Sequence, residues 1–280
     1  MLGTDYEVFV INRQTGDAVS AAIFGLNGKR GEHNPLMLKN KQVGTIHRDN
    51  LMLEICPPPA ETSVQFASCV KNTLLAAQNF VREFNEDFII SRIPEAQFSF
   101  EDLDTHEARD IGCDRDFVSF EFSSSIREAV TARTLRNCRY AGGHVHVSYD
   151  TALAPPWVAA MLCDLFIGLP VSELLNAARA PYYGLASLHR PTEYPDGTRG
   201  VEYRVLDSFW VHEPHAGVIK SLGTVQALLT AEYVDAVGQL VDVHLRSISP
   251  KTPLCQIPNK KEIVNSVSEV MRMFAPKIDW

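Results

Sequence analysis

The chain lacks paired cysteines, an excess of basic charge and any long uninterrupted apolar run. Its six cysteines (Cys56, Cys69, Cys113, Cys138, Cys163 and Cys255) stand far apart with no Cys-x-x-Cys among them. That spacing excludes a zinc-finger pattern and is too sparse for a disulfide scaffold, so they read as buried free thiols in a reducing compartment. Lysine and arginine number 26 against 34 acids, a formal net charge of −8. A general nucleic-acid binder shows the opposite balance. One nucleotide remains within reach, because a phosphate site needs only a few local arginines and a metal. The longest apolar run, residues 157–169, is broken by Asp164 and is too short to span a bilayer. Asp5 and Glu7 stand where a secretory leader would be basic and then apolar. A cytoplasmic protein with no membrane or nucleic-acid partner is expected. No repeat, low-complexity tract or composition shift divides the chain, and residues 1–280 read as one domain.

Hydrophobic periodicity supplies the elements. Residues 5–11 alternate as a strand, with 18–24 as its hairpin partner across a turn. Residues 28–40 read as a loop, and 42–55 as one or two strands stopped by Pro57, Pro58 and Pro59. Thr62 or Ser63 caps a helix running to Phe84. Residues 88–99 read as strand, 101–116 as an acidic loop and 117–122 as strand again. A strand holds His144-Val145-His146-Val147-Ser148, and Pro155-Pro156 open a helical region to about 180, interrupted at Pro170. Residues 181–199 form a loop and 201–206 a strand, before helices over 214–245 and 259–274. Strands and helices do not alternate regularly. The expected class is therefore α+β, a mostly antiparallel sheet with helices on one side.

Side chains two apart on a strand share a face. Asp5 and Glu7 therefore project together, Glu54 opposes Leu53 and Ile55 with Asp49 just upstream, His144 pairs with His146, and Glu202 pairs with Arg204. A polar face turned to water explains any one such strand. Taken together they are the oxygen and imidazole ligands that a hard divalent cation selects. Should the strands adjoin, the carboxylates would crowd unless cations or protons neutralise them. A carboxylate-rich set with one histidine favours magnesium or manganese over zinc. Gly142-Gly143 would admit a close backbone or phosphate, or simply form a turn before the strand.

Five segments occur in order: GTDYE (3–7), DNLMLEICPPP (49–59), GCDRDF (112–117), GGHVHV (142–147), and YYGLASLHRP (182–191) running into GVEYRVLDSFW (200–210). Together they resemble the phage-type carboxylate–amine ligase family, type 2, of the superfamily that includes glutamine synthetase and glutamate–cysteine ligase. The resemblance implies a curved, glutamine-synthetase-like sheet with helices on its convex side and ATP held between two or more Mg2+ or Mn2+ ions on the other. ATP phosphorylates a carboxylate in such enzymes, and an amine then displaces phosphate from the acyl phosphate. Carried over by position, Asp5, Glu7, Glu54, His144 and Glu202 resemble metal ligands. Arg204 and Arg190 resemble phosphate-contacting arginines, and His146 joins them on the nucleotide side. A base for the incoming amine is open among Asp49, Asp114 and Asp116, with Asp49 carried as the catalytic candidate. Arg136 or Arg139 would grip a substrate carboxylate or lie solvated at the surface. Loops 181–199 or 28–40 would cover the site. The first acidic pair is Asp-x-Glu where many relatives carry Glu-x-Glu, and Arg115 replaces a more usual proline.

The implied partners are a small-molecule or peptide acid and an amine, in a host cytoplasm if the protein is phage-encoded. Two other readings compete. A metal-dependent hydrolase would use the His-x-His strand, need no ATP and leave the Glu-x-Arg strand unexplained. A non-catalytic binding or assembly protein would merely retain the fold.

Overall fold

The computed structural model describes residues 1–28, 31–105, 108, 117–120, 123–126, 137–194, 197–212, 216–249 and 252–280. Asp114, Asp116, Arg115, Arg136 and most of the GCDRDF segment lie outside the described residues.

The fold is α+β, built on a curved, unclosed and mostly antiparallel sheet with seven α-helices among the described residues. Strands β1 (Leu2–Val8), β2 (Val10–Asn12) and β3 (Ala18–Val19) open the chain. Strands β4 (Asn34–Leu38), β5 (Lys41–Asp49) and β6 (Met52–Cys56) follow. After helix α1 (Ser63–Phe84) come β7 (Phe88–Ile90), β8 (Glu95–Gln97) and the single turn α2 (Phe100–Leu103). Strands β9 (Phe117–Phe120), β10 (Ser123–Ile126), β11 (Cys138–Tyr140) and β12 (Gly143–Ser148) complete the middle of the chain. Helix α3 (Pro156–Cys163) and the short α4 (Ala180–Tyr183) precede β13 (His189–Glu193) and β14 (Arg199–Tyr203). Helices α5 (Ala216–Leu228), α6 (Val234–Ser247) and α7 (Lys260–Phe274) end it.

Nine strands form the main sheet in the order β10-β9-β13-β14-β12-β1-β6-β5-β4. Smaller sheets pair β3-β2-β7 and β11-β8. One face of the main sheet is apolar. Tyr6, Val145, Val147, Val201 and Tyr203 join the buried core with Phe66 and Val70 of α1 and Val218 and Leu222 of α5. Each such side chain contributes about 1.5–3 kcal/mol on burial. Burial pushes the Tyr6 phenol well above its usual pKa, and its hydroxyl lies 3.0 Å from Thr73 Oγ1 on α1. Thr62 caps α1 by accepting the Gln65 N–H, as its side chain and position predict.

Several expectations are corrected. Residues 34–38 and 189–193 are strands, not loop, so neither stretch is simply a cover. Pro35 sits on the outermost strand β4, where a missing N–H costs no ladder bond. In the first hairpin the return strand is only Ala18–Val19, and Ser20 then caps a 3-10 turn over Ala21–Phe24. Residues 88–99 hold two short strands in different sheets. The helix expected over 214–245 is two helices, separated by a 3-10 turn at Ala231–Tyr233. The apolar run at 157–169 passes from α3 into a π-helical turn, Asp164–Gly168. Among the described cysteines only Cys163 is buried; Cys56, Cys69, Cys138 and Cys255 are partly exposed free thiols. No described helix is long and apolar enough to cross a membrane.

Asp164 interrupts the apolar run because it anchors a buried polar knot. Its carboxylate accepts the Ser187 N–H at 2.9 Å and the Tyr203 hydroxyl at 2.7 Å, and lies 2.8 Å from His244 Nε2. All four residues are essentially inaccessible, so losing the hub strands every partner without water. Asp164→Ala should cost about 3–5 kcal/mol, read as a lowered urea midpoint. A loss under about 1 kcal/mol would mean that the knot contributes little net stability.

Candidate metal and phosphate site

The other face of the sheet gathers the polar side chains that alternate with the core. Register fixes who meets whom. Asp5 pairs with His144 between β1 and β12, and Glu7 pairs with Glu54 between β1 and β6. His146 pairs with Glu202 between β12 and β14, Glu202 with Arg190 between β14 and β13, and His47 with Glu54 between β5 and β6. The strands expected to share a face therefore adjoin, and Asp5, Glu7, Asp49, Glu54, His144, His146, Arg190, Glu202 and Arg204 all lie on or at the end of strands of this sheet.

Two ligand groups result. Asp5, His144 and Glu202 offer donor atoms all within 4.8 Å of one another, and so do Glu7, Asp49 and Glu54. In the first, His144 Nδ1 is 3.3 Å from Asp5 Oδ1 and 3.4 Å from Glu202 Oε1. His146 Nε2 approaches the same Asp5 oxygen at 3.0 Å. Glu202 is flanked by arginines: Arg204 Nη1 donates to Oε1, and Arg190 Nη1 lies 3.5 Å from Oε2. Arg204 Nη1 also lies 3.3 Å from His144 Nδ1. In the second group, Glu7 Oε2 accepts the Gly142 N–H at 2.5 Å.

The electrostatics follow from this crowding. Burial alone would raise the Asp5 carboxyl, but the charge of His146 and hydrogen bonds to both histidines hold it well below the usual range. Glu202 is held down against burial chiefly by Arg204. His146 is raised against burial by Asp5 and Glu202. Burial and the neighbouring Arg204 lower His144, which favours the neutral imidazole that coordinates a cation.

Backbone supports are specific. A Cβ at Gly142 would lie 2.4 Å from His144 Nε2, so the absent side chain makes room for the imidazole. At Gly143 it would lie 2.4 Å from the Asp207 carbonyl oxygen, and the Trp210 indole N–H donates to the Gly143 carbonyl at 3.0 Å. The close approach allowed by these glycines is thus filled by the protein's own ring and backbone. Behind Arg204, buried Arg179 donates to the Val205 carbonyl at 2.7 Å and the Arg204 carbonyl at 3.3 Å. Arg139 is also buried, donating to the Ala108 carbonyl at 2.8 Å, the Cys138 carbonyl at 2.9 Å and Asn50 Oδ1 at 3.3 Å. It braces neighbouring chain and is not a solvated surface group. Beside Asp5 and His146 lies a cavity of about 570 Å³ lined also by Met1, Gly3, Pro57 and Tyr194.

The donor chemistry fits hard divalent cations, since carboxylate oxygens dominate both groups and each can approach a common point. His33 and His47 fall in no motif of the sequence, and Cys56 reads there only as one of six buried thiols. His33, His47 and Cys56 form a third three-ligand group. Alternation in β5 placed His47 and Asp49 on one face, a signal that was available. A scan against protein-family models finds no match, and a search of curated proteins finds no relative.

A cation arriving at Asp5 displaces the positive charge that His146 holds there. Since the His146 pKa is raised, its proton persists to higher pH, and Mn2+ affinity should climb as pH rises through about 5 to 8. His146→Gln should flatten that climb. Calorimetric titration of Mn2+ across this range checks it, and a pH-independent affinity for the unaltered protein would contradict the linkage.

Proposed function

We propose that the protein is an ATP-dependent carboxylate–amine ligase, forming an amide through an acyl phosphate on the polar face of a glutamine-synthetase-like sheet. One observation supports this best: two oxygen-rich ligand groups stand side by side, and Glu202 of the first is flanked by Arg204 and Arg190. Phosphoryl transfer is mostly positioning and charge neutralisation, and metals with arginines are its equipment.

In this reading Asp5, His144 and Glu202 would hold one Mg2+ or Mn2+, and Glu7, Asp49 and Glu54 another. Bound cations would draw charge from the transferring phosphoryl group and fix its direction. Arg204 and Arg190 bind its oxygens with planar guanidinium forks that lysine cannot copy. The substrate carboxylate attacks the γ-phosphorus, ADP leaves, and an acyl phosphate forms. The amine then attacks the acyl carbon, inorganic phosphate departs, and a nearby carboxylate takes the amine proton. Asp49 fills two roles in the sequence reading, base and neighbour of the metal acids. Its place beside Glu7 and Glu54 favours the ligand role. The cavity bordered by Pro57 and Tyr194 is a mainly apolar recess next to the phosphate end, suited to a nucleobase. The substrates implied are a small-molecule or peptide acid and an amine.

The hydrolase reading is less well supported. His144 and His146 both turn to Asp5 Oδ1, and the ligand group there contains one imidazole with two carboxylates. A non-catalytic role has no observation in its favour: Glu7, Glu54, His144, Glu202 and Arg204 are all present and gather on the polar face.

ATP should bind in the micromolar-to-millimolar range only with Mg2+ present, as calorimetry would show. Acid–amine pairs can then be screened by ADP release, and 18O from the acid should emerge in phosphate. Glu202→Gln should lose Mg2+-dependent ATP binding with the fold intact. Arg190→Ala should cut turnover by at least about a hundredfold. ATP binding that ignores Mg2+, or survives Glu202→Gln unchanged, would refute the assignment.

A further inference from the structure

We propose that His33, His47 and Cys56 form a separate binding site for a thiophilic divalent cation, zinc above all, at the β4–β5–β6 edge of the sheet. The proposal does not depend on the ligase reading. Its donors differ in kind from those of the neighbouring groups. Two imidazoles and a thiol select zinc, whereas Glu7, Asp49 and Glu54 select magnesium or manganese.

The β4–β5–β6 meander brings the three together. His47 lies in β5, Cys56 ends β6, and His33 immediately precedes β4, three adjacent strands. Their donor atoms are all within 4.8 Å of one another. Tetrahedral zinc takes nitrogen at about 2.0–2.1 Å and sulfur at about 2.3 Å. The three donors therefore stand within side-chain reach of one such centre. The His33 ring stacks on His47 with centroids 4.0 Å apart and planes 17° apart; ring lone pairs lie in the ring plane, so the exposed His33 must turn out of the stack for both nitrogens to reach one cation.

His47 itself points to a ligand. It is 1% exposed, yet neither ring nitrogen makes a hydrogen bond. Its Nε2 is 3.3 Å from Glu54 Oε2, close enough for charge attraction but out of line for a hydrogen bond. Buried polar groups are otherwise almost always bonded, at a cost of about 1–3 kcal/mol when they are not. A bound cation supplies the missing partner. The fourth zinc position falls to water, since His33 leaves that side open to solvent, as in sites with three protein ligands. Occupancy would tie β4, the outermost strand, to the end of β6, and so fasten the open edge of the sheet beside Glu54.

Reduced, chelator-treated protein should be titrated with Co2+ and then Zn2+, following absorbance and competition against a chromophoric chelator. The expected result is a thiolate-to-cobalt charge-transfer band with tetrahedral visible absorption, and zinc held in the submicromolar range. Cys56→Ser should abolish the band. His33→Ala should weaken zinc at least about tenfold and remove the rise in melting temperature that zinc gives the unaltered protein. His33 is exposed, so that variant should melt normally without metal and separates lost binding from lost folding. Glu202→Gln should keep the band. The proposal is overturned by the absence of a thiolate band. It is equally overturned if both ligand variants hold zinc as tightly as the unaltered protein, or if zinc is lost in Glu202→Gln and kept in Cys56→Ser.

Discussion

Like charge on adjoining strands governs the polar face. Antiparallel register sets Glu7 against Glu54, and Asp49 stands close to both. Across β1 and β12, Asp5 and Glu202 share His144 between them. Glu7, Glu54 and Glu202 are all nearly inaccessible, and buried carboxylates that repel must be compensated or protonated. Compensation is visible at Asp5, Glu202 and Glu7. Asp5 has two imidazoles, Glu202 has two guanidiniums, and Glu7 takes a backbone N–H from Gly142. The glycine at 142 clears space for the His144 ring that stands between two of these acids.

The apolar face makes this arrangement durable. Side chains on a strand alternate strictly, so a slip of one residue would drive the acids of β1 or the imidazoles of β12 into the core and expose Tyr6 or Val145. Helices α1 and α5 press against those core residues and lock the register. Further back, the Asp164–Ser187–Tyr203–His244 knot fastens the helical layer to β14, the strand that carries Glu202 and leads into Arg204. Arg179 then holds the consecutive carbonyls of Arg204 and Val205. The placement of the arginine thus depends on polar contacts that lie outside the site itself.

The same alternation made much of the site legible in the sequence. Asp5 with Glu7, His144 with His146, and Glu202 with Arg204 could be placed on common faces from spacing alone, because period two is a property of one strand. Strand order is not. Whether those faces met depended on pairings between residues far apart in the chain, such as Glu7 with Glu54. Strand β13 was hidden because its sequence, His-Arg-Pro-Thr-Glu, has no apolar alternation; its neighbours, not its pattern, make it a strand. Strand β4 was hidden by Pro35 in the same way. Asp164 looked like a break in an apolar run, since nothing local reveals that Ser187, Tyr203 and His244 converge on it. The His33–His47–Cys56 group was illegible for the same reason as the strand order. Its members are linked only by the sequence of β4, β5 and β6 in space.

Glu54 stands where two ligand chemistries meet. It belongs with Glu7 and Asp49, yet its Oε2 is 3.3 Å from His47 Nε2. A cation held at the imidazole–thiol group would attract the Glu54 carboxylate and fix its side chain. It also competes for the electron density that Glu54 offers to a hard cation beside it. The first effect orders a ligand and the second weakens it, and their balance sets the sign of any coupling between the two groups. Whatever the sign, thermodynamic linkage makes it mutual: a cation in one group changes affinity in the other by the same factor. A single carboxylate placed on the shared strand β6 is sufficient to transmit it, with no movement of the sheet.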